Sequence, residues 1–119
     1  MTELEPNCKG YFLYRLGIDQ TEQYRNLVKV YELFPWFNII SSLDEANGIA
    51  VVRGQKHTLP ILKRNHKIEH MIVAEGDGRY SHREDTGKPV QYGSSEDLIG
   101  KYLLSDLGVF YPIFLKLKK

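Results

Sequence analysis

Apolar and polar positions divide the chain into short extended runs, with a helical pattern near each end. The clearest block lies at the centre, from Gly48 to Glu75, and reads GIAVVRG, a polar break, HTLPIL, a basic break at Lys63-Arg64-Asn65-His66, then KIEHMIV. Runs rich in β-branched residues between polar breaks predict three successive antiparallel strands, over 49–53, 57–62 and 67–74. Ile49-Ala50-Val51-Val52 is apolar on both faces, as in a buried central strand, and ends on Arg53. An arginine delivered by a buried strand is costly unless its guanidinium meets an anion.

On either side the pattern changes. Gly10–Ile18 has strand composition. Asp19 and Glu22 spell a capping box for a helix over 20–34, with Tyr24, Leu27, Val28, Tyr31 and Phe34 at helical spacing and Pro35 as its stop. Trp36–Ile40 is extended, and Ser42 caps a short turn that ends at Asn47-Gly48. After the central block, Gly76-Asp77-Gly78 is a tight turn, Arg79–Arg83 a short strand, and Pro89–Tyr92 an edge strand. Ser94 or Ser95 caps a final helix near 95–105, and Val109–Leu117, with Pro112 inside it, is an extended tail or edge strand. The fold class is therefore α+β, a central antiparallel sheet flanked by two helices. A chain of 119 residues makes one domain, with 1–35 a strand-helix extension before a core at 36–119.

Composition narrows the function classes. The formal net charge of +1 excludes a polycation built to coat nucleic acid. Cys8 is the single cysteine, so the chain has no internal disulfide and no Cys-rich zinc site, and no cofactor is expected. Met1–Asn7 lacks the apolar core of a secretion signal, and no apolar run reaches bilayer length. The expectation is a soluble monomer of a reducing, cytoplasmic compartment, with neither membrane nor nucleic acid as partner. Delivery into a host cytoplasm would leave no mark in these residues.

From Trp36 onward the order of segments resembles the Src homology 2 family of phosphotyrosine-binding modules. PWFNII followed by Ser42-Leu43-Asp44-Glu45-Ala46 is similar to that family's opening, GIAVVRG to its phosphate-binding strand, and KIEHMIV to the strand carrying a histidine, here His70. GDGRYSHR and SSEDLIGKYL fit its glycine turn and serine-capped helix. The resemblance implies recognition of tyrosine-phosphorylated proteins or peptides. Arg53 would be the phosphate fork, Gln55, Lys56 and Thr58 would follow it in the loop, and His70 would orient the arginine or pack on the ring. Met71, Ile72 and Tyr80 would line the peptide groove. The family's other basic contacts fall on Leu43 and Ile72, both apolar, which makes Arg53 the sole strong fork. The loops that build the family's selectivity pockets, here Glu84–Tyr92 and Leu107–Pro112, spell no deep pocket, which implies weak sequence selectivity. A guanidinium meets two phosphate oxygens at once, which an ammonium cannot do.

Two other chemistries have signals here. His66-Lys67-Ile68-Glu69-His70 spells an inverted zinc-protease motif, but that motif needs a helix and this stretch alternates as a strand, so no metal site is expected. The enzyme alternative is a small metal-independent ribonuclease of the toxin type, with His, Glu and Arg on a sheet. His57, His66 and His82 are otherwise expected as solvated strand-edge residues, and Arg15, followed directly by a capped helix, as a surface residue.

Overall fold

The computed structural model describes residues 5–54, 60–84, 88–94, 96–98, 100 and 110–118. Its framework is one six-stranded antiparallel sheet. The strands are β1 (Phe37–Ile40), β2 (Gly48–Arg53), β3 (Lys67–Gly76), β4 (Arg79–Arg83), β5 (Val90–Gly93) and β6 (Phe110–Leu117), in the order β1-β6-β2-β3-β4-β5. Helix α1 (Cys8–Arg15) packs on one face, and a single-turn helix α2 (Pro60–Lys63) precedes β3. The α+β class and the antiparallel sheet agree with the sequence pattern. Among the described residues no helix is long and apolar enough to cross a membrane.

Alternation along the strands sorts the core into two layers. Ala50, Val52, Ile68, Met71, Val73, Ile113 and Leu115 face α1, where they meet Phe12, Leu13, Val30, Leu33 and Phe37. Ile49, Val51, Ile72 and Tyr80 point the other way and are covered by Leu98, with Leu43 beside them. β2 is apolar on both faces because it lies between β6 and β3 with a layer on each side.

The N-terminal third corrects the sequence reading. The expected strand at 10–18 is helix α1, and the expected helix at 20–34 is an irregular run ending in a short 3-10 turn at Val30–Leu33. Asn7 caps α1, its side-chain oxygen accepting from Gly10 N–H at 2.9 Å. Gly17, at φ +82°, follows the last turn, and Ile18 N–H and Gly17 N–H donate to Leu13 O and Tyr14 O in the two bonds of a Schellman cap. The two acids that spell a capping box bond elsewhere. Asp19 takes Arg25 as a fork at 2.7 and 2.8 Å, and Glu22 accepts from Arg83 Nε at 2.8 Å. The run past Leu27 lies along the sheet instead: Ile68 N–H donates to Val28 O at 2.7 Å and Val30 N–H to His66 O at 3.1 Å.

The middle strand of the expected meander is also corrected. Residues 60–63 are helical, 55–59 lie outside the described residues, and β2 pairs directly with β3. The expected turn at 76–78 forms, with Gly76, Asp77 and Gly78 all at positive φ, and β4 and β5 stand where the pattern puts them. Ser94 and Asp97 bond reciprocally at 3.2 Å, and residues 96–98 and 100 are helical; the rest of the expected final helix, 101–105, lies outside the described residues. The C-terminal strand is no edge. β6 lies between β1 and β2, in register from Phe37↔Leu117 to Arg53↔Phe110.

Pro112 is tolerated within that strand by parity. Lys118 N–H donates to Trp36 O, so even-numbered residues of β6 direct their backbone groups toward β1. β1 pairs no further than Ile40↔Phe114, and Pro112, which lacks an N–H, faces outward just beyond that end.

Candidate functional site

Arg53 closes β2 opposite Lys67 on one side and Phe110 on the other. Its side chain is not buried but 52% exposed. Nε donates to Glu69 Oε1 at 2.8 Å, and the guanidinium lies 5.0 Å from the Phe110 ring centroid. A β-bulge makes this arrangement possible. The register slips between Val51↔His70 and Val52↔Ile68, and the extra residue, Glu69, lies on the same face as Arg53 and His70. Regular alternation from Ile68 would have turned His70 to the α1 face. The terminal nitrogens of Arg53 have no partner among the described residues.

His70 is fully buried and does not orient Arg53. Its Nε2 lies 2.5 Å from His82 Nδ1, and His82 Nε2 lies 3.2 Å from Gln91 Oε1. If His82 donates to the amide oxygen, its Nδ1 is the acceptor and His70 Nε2–H the donor. His82, expected as a solvated edge residue, is only 2% exposed. The rings meet edge to face across β3 and β4, closed off from solvent, so they present no open base beside Arg53.

His66 builds the neighbouring corner. Its ring rests on the backbone of Gly54, where a Cβ would stand 2.3 Å from Nδ1. Nδ1 lies 2.8 Å from the Tyr111 hydroxyl, and Lys63 Nζ lies 5.5 Å from the centroid of the Tyr111 ring. Burial, then the charges of Lys63 and Lys29, holds the His66 imidazole below its usual value, while burial pushes the Tyr111 phenol up. A neutral His66 Nδ1 can thus accept a hydrogen bond from the Tyr111 hydroxyl, which keeps its proton.

The remaining expected residues scatter. Gln55, Lys56, Thr58 and His57 lie outside the described residues. Met71 and Ile72 are fully buried on opposite faces and offer no surface to a peptide. Tyr80 lines a groove of about 490 Å³ with Asp44, Glu75 and Asp77. That groove is at the other end of the sheet, roughly 20 Å from Arg53 by strand rise. Arg15 is on the surface as expected, forked onto Glu75, which also accepts from Ser81 Oγ. Sequence reasoning missed Glu69 and Phe110 as the partners of Arg53. Phe110 comes from a strand pairing that no local pattern encodes, and Glu69 from a bulge that the alternation conceals. Among the described residues no group of three or more His, Cys, Asp or Glu side chains is placed to hold a metal ion.

No family model matches the chain, and neither a curated protein nor a solved structure matches it.

Proposed function

We propose that this protein is a binding module that takes an anionic group of a partner through Arg53, with a phosphotyrosine peptide as the ligand. The carrying observation is the Arg53 fork. Glu69 holds Nε and the Phe110 ring lies beside the guanidinium, while about half of the Arg53 side chain remains exposed to an incoming ligand. A phosphate monoester offers paired oxygens to such a fork, and each charge-assisted bond contributes about 1.5–3 kcal/mol when well formed. An exposed site weakens that contribution through water and salt. Catalysis of the ribonuclease type finds less support, because His70 on β3 and His82 on β4 are buried and offer no open base beside Arg53.

Titration with a phosphotyrosine peptide pool beside its unphosphorylated twin tests the reading. Arg53→Ala should abolish the difference between the pools, and Arg53→Lys should fail nearly as badly, because an ammonium makes no bidentate contact. Arg15→Ala should bind like the wild type. Glu69→Gln gives a sign test: the Glu69 carboxylate repels an incoming phosphate of about −1.5 to −2 charge, by about 1 kcal/mol per charge at 4 Å in water, so its removal should tighten binding roughly ten- to thirty-fold. Equal binding of both pools, or wild-type binding by Arg53→Ala, would refute the proposal.

A further inference from the structure

The second prominent concavity lies where β1 stops short of β6. It measures about 510 Å³ and is lined by Phe34, Ile39, Ile40, Tyr111, Pro112, Ile113 and Phe114, with Lys63 and Arg64 on its rim. The floor takes side chains from both faces of the sheet, since Tyr111 and Ile113 belong to the α1 layer and Phe114 to the other. Both rim cations lie over aromatic rings, Lys63 over Tyr111 at 5.5 Å and Arg64 over Phe34 at 5.9 Å. Arg64 also lines an adjoining shallow groove with Tyr31 and Leu62. Ile39, Leu62 and Tyr31 are each between 44% and 50% exposed, so the notch opens onto an apolar surface.

We infer that this notch docks an acidic peptide segment of a partner protein through a large apolar side chain, separately from the Arg53 site. Charge complementarity selects the partner. Among the described residues the lining contains two cations and no acid, in a protein whose net charge is only +1, so carboxylates beside the anchor meet Lys63 and Arg64. The same charges oppose a second copy of this chain, because a two-fold contact would set Lys63 and Arg64 against their own equivalents. Pro112 opposes strand-to-strand association as well. It faces the open side of β6 without an N–H, so a neighbouring strand finds no donor there. An apolar anchor with acidic flanks satisfies the notch, and a continued ladder does not. The Arg53 proposal supports none of these steps.

A displayed library of random ten-residue peptides, selected on the full chain, tests the assignment. The selected peptides should be acidic around an aromatic or long aliphatic residue and bind saturably, more weakly as salt rises. Ile39→Asp and the double variant Lys63→Glu/Arg64→Glu should each lose at least ten-fold in affinity, with circular dichroism unchanged because the three side chains are at the surface. Arg53→Ala should bind the selected peptides as the wild type does, which separates this site from the phosphate site. Three results would overturn the inference: no enrichment, enrichment of peptides without acids, or undiminished binding by the charge-reversed variant. Sedimentation showing a dimer that Ile39→Asp dissolves would give the notch to a second copy instead.

Discussion

At the scale of single residues, partners decide the chemistry more than residue types do. Arg53 and Arg15 both end an element and both are about half exposed, yet Glu75 takes Arg15 as a complete fork while Glu69 occupies only Nε of Arg53. That difference makes Arg53 the better anion site, and the exposed Arg53–Glu69 pair itself adds little to stability, about 0–1 kcal/mol. His66 yields a pH prediction. Unfolded, its imidazole titrates near 6.5; folded, burial and the nearby lysines hold it lower. Between the two values the unfolded chain binds more protons, so the contribution of His66 is complete above about 6.5 and is lost as pH falls. His66→Gln keeps a side-chain acceptor for Tyr111 but does not titrate. The wild type should therefore lose more of its urea midpoint than His66→Gln between pH of about 7.5 and 5. Equal losses would show that His66 titrates alike in both states.

At the scale of elements, helix α1 was legible but outweighed. Its aromatic run has strand composition, while its boundaries, Asn7 before and Gly17-Ile18 after, carry the signals of a helix cap at each end. Asp19 and Glu22 spelled a second helix, but a local ion pair to Arg25 claimed the first and a long-range one to Arg83 the second. Strands β2 and β3 were readable because burial on both faces leaves a run of apolar residues, and β4 and β5 because the Gly76-Asp77-Gly78 turn and Pro89 mark where they start. The bulge at Glu69 was not, since one inserted residue leaves composition untouched. Two glycine substitutions check α1. Gly→Ala inside an ordinary helix stabilises by about 0.5–1 kcal/mol. At Gly10 the added Cβ would stand 1.5 Å from Gln23 O, a backbone atom, so Gly10→Ala should instead destabilise by about 1–3 kcal/mol or more. Gly17→Ala meets no atom and carries only the left-handed penalty, about 1–2 kcal/mol. Thermal melts in which Gly10→Ala gains stability would remove α1 from its place against Gln23.

At the scale of the whole molecule, the last described strand in sequence is an inner strand, second in the sheet order beside the edge strand β1. β6 joins β1 to β2, so Phe37 pairs with Leu117 and Arg53 with Phe110 across long separations in sequence. Sequence alone made this segment an extended tail or an edge strand because Pro112 is an edge residue locally, and the shortness of β1 reconciles the proline with an inner position. The consequence for stability is testable by ending the chain after residue 109. Tyr111, Ile113 and Leu115 are buried, and losing three such side chains costs about 5–9 kcal/mol at 1.5–3 each. That is comparable with the whole stability of a domain this size, about 5–15 kcal/mol. The truncation would also leave β1 with no strand to pair with and expose one edge of β2, whose residues Ile49 to Val52 are entirely apolar. The shortened chain should lack dispersed amide resonances, show no cooperative melt and aggregate through the bared β2 edge. Because the pairings span such long sequence separations, the full chain should also refold slowly, within milliseconds to seconds, and no earlier than β6 is available. A chain ending at residue 109 that kept native-like resonances for β2 and β3 would show that β6 only decorates the sheet, and would dissolve the notch at the end of β1 with it.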